Sequence, residues 1–131
     1  MFSLEKWAGI GYGHLYMAIF IKVSNPQDLL SDIKRSINEG YIKEWSCDRD
    51  GDLTSTKEEI QNEAWFHPYT SIDNFLVFGI VGRKNVNISK ALFSIYHSLF
   101  VNTLLANYSS QLDGIMIKPP FSNSFDTQNV E

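Results

Sequence analysis

The stretch that decides the fold runs from His14 to Val23 and reads HLYMAIFIKV. Leu15, Met17, Ile19, Ile21 and Val23 fall on one alternating face, and Tyr16, Ala18 and Phe20 on the other. Apolar side chains on both faces predict a strand covered from both sides, which belongs in the middle of a sheet. Ser24-Asn25-Pro26 follows as a helix start, with a capping side chain and then proline at the first helical position. Leu29, Leu30, Ile33 and Ile37 continue at helical spacing until Gly40 ends the helix.

A second doubly apolar strand is predicted over Phe75 to Val81 (FLVFGIV), closed by Gly82-Arg83. Between the two, Tyr41 to Arg49 alternates as a strand. Asp50-Gly51 is a hairpin dipeptide suited to a type I′ turn, and Asp52 to Ser55 returns along the first arm. Lys57 to Glu63 is a polar helical turn. Ala64 to Ser71 is extended, with Pro68 placing it at an edge or a bulge. A long helix follows from Ile88 to about Tyr108. Its expected main stripe is Ile88, Ala91, Leu92, Ile95 and Leu99, widened by Phe93, Tyr96, Phe100 and Leu104. Asp113-Gly114 turns the chain into a last short strand, Ile115 to Lys118.

Strand, helix, two or three strands, helix, strand is the order of an α+β, ferredoxin-like βαββαβ sandwich. It predicts a mostly antiparallel sheet with two helices on one face, an extra acidic hairpin, and an open face available for work. The expected division is a flexible lead-in over 1–13, a single domain over 14–118 and a mobile tail over 119–131 that holds Phe121 and Phe125.

The chain has 131 residues, 44% hydrophobic and 14% aromatic, which suits one well-filled domain rather than a disordered chain. One cysteine, Cys47, and no apolar leader ahead of a cleavage site point to a reducing, cytoplasmic setting. Cys47 lies among acids, which blunts a nucleophile there. No run is long enough to span a membrane. The glycines at 9, 11 and 13 precede a strand rather than follow one, which is the wrong order for a dinucleotide loop.

Net charge is −4, and its placement says more than its size. Glu44 to Glu63 holds seven acids (Glu44, Asp48, Asp50, Asp52, Glu58, Glu59 and Glu63) against Arg49 and Lys57. Direct nucleic-acid binding is disfavoured, since phosphates need clustered lysine and arginine. A basic protein partner or a cation fits better. Within the segment, Asp48, Asp50, Asp52 and Glu59 match positions 1, 3, 5 and 12 of a calcium loop. Leu53 stands where that loop needs glycine, and Ser55 where it needs an apolar side chain, so an acidic hairpin tip explains the same residues.

Trp65, Phe66 and Tyr69 follow the acids and are expected to anchor a partner that the carboxylates steer. His67, between them, is either a packed histidine or a general base. The enzyme reading predicts a deep pocket that gathers His67, His14 or Glu63, within a small enzyme or small-molecule-binding dimer. No acid, serine or cysteine stands at a telling spacing from His67. The three histidines and one cysteine give no zinc pattern, and no cofactor is expected.

In size, acidic patch and mixed α/β order, the chain resembles small bacterial toxin-immunity proteins, including those of contact-dependent growth inhibition systems. The resemblance covers the general plan and rests on no motif. It implies a cytoplasmic, non-catalytic inhibitor that covers the active site of a cognate toxin domain, often a basic nuclease. A homodimer is compatible with such a plan.

Overall fold

Asn25 makes the helix start that its sequence predicts. In a computed structural model of the chain, which describes residues 18–118, its side chain accepts a hydrogen bond from the Asp28 N–H at 3.2 Å. Pro26 takes the first helical position, where no N–H is needed. The cap joins β1 (Ala18–Lys22) to α1 (Pro26–Asn38), whose Leu29, Ile33 and Ile37 are buried. Gly40 then turns the chain in the left-handed region, at φ 84°, where a side chain would be strained.

β2 (Trp45–Cys47) and β3 (Leu53–Ser55) form the acidic hairpin. Its turn differs from the type I′ expectation. Gly51 has φ 84° but Asp50 is not in the positive-φ region. The Gly51 N–H donates to Asp48 O at 3.0 Å, and the Asp48 N–H donates to Asp52 O at 2.9 Å. This is the three-residue loop in which a tight turn is followed by one left-handed glycine.

β4 (Ala64–Tyr69), β5 (Phe75–Gly82), α2 (Lys90–Tyr108), a 3-10 turn over Ser109–Gln111 and β6 (Gly114–Ile117) complete the order. The described residues thus make a mixed α+β fold with two helices and a six-stranded sheet in the order β2-β3-β4-β5-β1-β6, every neighbouring pair antiparallel. Pro68 lies in β4, inside that order. β3 pairs with β4 only at Leu53 and Phe66, so Pro68 withholds no N–H from a ladder on that side.

Ile19, Ile21, Leu53, Phe66, Leu76, Phe78 and Ile80 face the helices and join Leu29, Ile33, Tyr96, Phe100 and Leu104 in one core. Trp45 sits among them, its indole N–H donating to Thr103 Oγ1 at 3.0 Å. The buried side of α2 is Phe93, Tyr96, His97, Phe100, Thr103, Leu104 and Tyr108, whereas Ala91 and Ile95 of the expected stripe are exposed. α2 is apolar nearly all round, so periodicity alone does not pick the inward face; the space above the sheet takes the large rings.

The face away from the helices is not open in its middle. Ala18, Trp65, Val77 and Val81 alternate onto it and are all buried. The predicted lead-in, the tail with Phe121 and Phe125, His14 and the start of the first expected strand lie outside the described residues.

Candidate functional site

The pairing of Leu53 with Phe66 puts the next residues outward, Asp52 and His67, side by side. Asp52 Oδ1 lies 2.5 Å from His67 Nδ1. Asp52 is fully buried, whereas the His67 side chain is 25% exposed. Tyr69, two residues further along β4, stands edge-on to the His67 ring with centroids 4.9 Å apart. Its hydroxyl is buried with no hydrogen-bond partner among the described residues. Burial, and secondarily the negative charge of Asp52, push the Tyr69 phenol up to about 12.

Asp48 is turned into its own hairpin. Its Oδ1 accepts from the N–H groups of Asp50 and Asp52, both at 3.0 Å. Asp48, Asp50 and Asp52 bring a carboxylate oxygen each to within 4.8 Å of one another. Three of the four expected calcium positions therefore come together. Glu59 does not join them; it is exposed in the turn between β3 and β4. A β-carbon on Gly51 would lie 3.2 Å from Lys34 Nζ, so an ammonium group of α1 reaches this hairpin tip.

The other expected contact residues divide sharply. Glu44, Glu58 and Glu59 are exposed, and Glu63 is half-buried with Arg83 Nη1 3.4 Å from its carboxylate. Three expectations are corrected by burial. Asp52 is an internal carboxylate. Trp65 is buried on the far face of the sheet. Phe66 lies in the core against Trp45, Phe78, Tyr96 and Phe100. None of the three is placed to anchor a partner.

His67 does have a carboxylate partner, contrary to the spacing argument, because the partner comes from the neighbouring strand rather than from its own. The Asp50-Gly51 turn marks Asp52 as the start of the returning arm, which is the one local signal for its half of the pair. The length of the 56–63 connection, which sets that register, is not readable from propensity.

A cavity of about 410 Å³ opens between α2 and β6, lined by residues that include Val101, Leu105, Leu112, Ile115 and Ile117. It holds neither His67 nor Glu63, so it is not the pocket that the enzyme reading expected. His97 is buried, stacked on Phe93 with ring centroids 3.8 Å apart, its Nδ1 2.8 Å from Phe93 O. Burial pulls it down to about 4, leaving it a neutral core residue.

No protein-family model, curated protein or solved structure matches this chain. Among the described residues no helix is long and apolar enough to cross a membrane.

The internal role of Asp52 has a direct test. Asp52→Ala is expected to lower stability by about 2 kcal/mol, below the usual cost of breaking a buried pair because His67 is partly solvated. Glu59→Ala, at an exposed carboxylate, should stay within about 0.5 kcal/mol of the parent. Equal midpoints for both in urea unfolding would return Asp52 to the surface set.

Proposed function

We propose that this domain is a non-catalytic module that binds a basic protein partner along the β2 edge of its sheet, the role implied by its resemblance to toxin-immunity proteins. The observation that carries the reading is the arrangement of acids around that edge. Glu44 stands just before β2, and Asp48 and Asp50 just after it. The Thr56 N–H donates to Glu44 O at 2.9 Å and its Oγ1 to Lys43 O at 2.8 Å. These bonds hold the start of the Glu58-Glu59 turn at the Glu44 end of the hairpin. Charge at both ends of an edge strand steers a cationic surface and deters sheet-to-sheet aggregation.

Tyr41, 78% exposed and three residues before Glu44, supplies the aromatic anchor that Trp65 and Phe66 do not. We further infer the split βαβ plan: the order β6-β1-β5-β4 supports it, with the β2–β3 hairpin added outside β4.

The test begins by identifying what a tagged copy of this chain captures in its native host, and continues with calorimetric titration of a captured basic toxin domain. Capture of no basic protein would count against the reading. Glu44→Lys, Glu58→Lys and Glu59→Lys together should weaken binding about a hundredfold and slow association, and added salt should weaken the parent complex. Tyr41→Ala should cost about 2 kcal/mol of binding. Affinity indifferent to the triple reversal would remove the acidic edge from the interface.

A second reading rests on one observation, the buried Asp52 against His67 Nδ1. This is how a carboxylate orients a histidine that acts as a base. An enzyme of that kind needs a substrate cavity beside His67, and the cavity described above lies between α2 and β6.

A further inference from the structure

At the opposite end of the sheet from the acidic hairpin lies β6, which is paired only with β1 among the described strands. The Lys118 N–H donates to Ala18 O at 2.9 Å. Antiparallel alternation therefore turns the N–H and C=O groups of Ile115 and Ile117 outward, away from β1. The strand reads Gly114-Ile115-Met116-Ile117, with no charge and no proline within it. Its shortness and the Lys118-Pro119-Pro120 that follow in the sequence limit such an edge to a short, specific pairing rather than an open-ended one. Met116 is 54% exposed and Ile117 39%, and Leu105, on the helix above, is 53% exposed. Among the described residues the two edges of one sheet are thus built oppositely, β2 flanked by charged residues that include Glu44, Asp48 and Asp50, and β6 uncharged and apolar.

We propose that β6 is a self-association edge, pairing antiparallel with β6 of a second copy about a twofold axis at Met116. In that register Ile115 of each copy exchanges both backbone hydrogen bonds with Ile117 of the other. The Ile115 and Ile117 side chains share the helix face with Ile19 and Ile21. The apolar groove lined by Val101, Leu105 and Leu112 then closes against its counterpart, while Met116 meets Met116 on the other face. The charges at the strand ends fit this occupant. Asp113 precedes the strand and Lys118 follows it. The twofold sets Lys118 of one copy opposite Gly114 of the other, one residue from its Asp113. A neutral strand with opposite charges at its two ends is complementary to itself reversed, which is the requirement of an isologous interface. The product is a continuous twelve-stranded sheet with an acidic β2 edge at each outer end. A multivalent cationic partner would be gripped twice.

Sedimentation velocity of the full 131-residue chain tests this. The expected result is a species of twice the 15.0 kDa chain mass that dissociates on dilution. Met116→Lys places two ammonium groups across the axis, and Leu105→Glu puts a carboxylate into the closed groove. Each should raise the dimer dissociation constant about tenfold or more with the circular dichroism spectrum unchanged, because both side chains are more than half exposed in the single chain. Glu44→Lys, at the far edge, should leave the dimer intact. A 15.0 kDa species at every concentration overturns the proposal, and so does a dimer that survives both Met116→Lys and Leu105→Glu.

Discussion

Phe100→Ala is expected to destabilise the fold by about 3–5 kcal/mol, a large share of the roughly 5–15 kcal/mol by which a domain is ordinarily stable. Phe100 is fully buried where α2 meets the sheet, and its ring has neighbours on three elements. Its centroid lies 5.1 Å from that of Trp45 on β2, 5.0 Å from Phe66 on β4 and 4.8 Å from Phe78 on β5. Removing it opens a cavity walled by rigid rings, which collapse into empty space poorly, so the loss exceeds the transfer term alone. The measurement is a urea unfolding curve followed by tryptophan fluorescence, with Ile95→Ala as comparison. Ile95 lies on the same helix but is 42% exposed, and its truncation should cost well under about 1 kcal/mol. A Phe100 variant no less stable than the Ile95 variant would mean that α2 presents a different face to the sheet.

The second large effect is a pH dependence centred on His97. In the unfolded chain its imidazole takes up a proton near the ordinary value of 6.5; in the folded chain burial delays this to about 4, with the Phe93 carbonyl partly opposing the shift. The folded value is the lower one, so the unfolded state binds more protons throughout the interval. Stability must therefore fall as pH drops below about 6.5, with the loss complete below about 4. A gap of this size corresponds to about 3 kcal/mol.

His97→Leu is the informative comparison. The Nε2 atom of His97 is buried without a hydrogen-bond partner, so an apolar side chain leaves no new unsatisfied group there. The difference in unfolding free energy between parent and variant, measured from pH 7 down to pH 4, should shift steadily toward the variant (about 1.4 kcal/mol for each pH unit well inside the interval). A difference that does not change with pH would show that His97 becomes protonated without unfolding. Carboxylates cancel in this subtraction, which is why the difference is read rather than either curve alone.

Much of the fold was legible along the chain. The apolar runs at Ala18–Lys22 and Phe75–Gly82 announced strands buried on both faces, and Asn25 and Gly40 marked the two ends of α1. These signals are local. Side-chain alternation, a capping oxygen and a glycine in the left-handed region act within a few residues, so they are written where they act. The inward face of α2 was misread because that helix is apolar on nearly every side. Trp65 and Phe66 were misread because an aromatic residue in a strand looks the same whether it anchors a partner or fills a core.

The sequence by itself determined that one segment concentrates the acids and that two central strands and two helices build an α+β core. Only the tertiary structure decided which acids remain at the surface. Asp52 is drawn inside because the β3–β4 register sets it against His67, while Glu44, Glu58 and Glu59 are exposed on the connections that flank the hairpin. The physical reason is range: charge and periodicity belong to each residue and its near neighbours, but burial is set by strands brought together from distant parts of the chain.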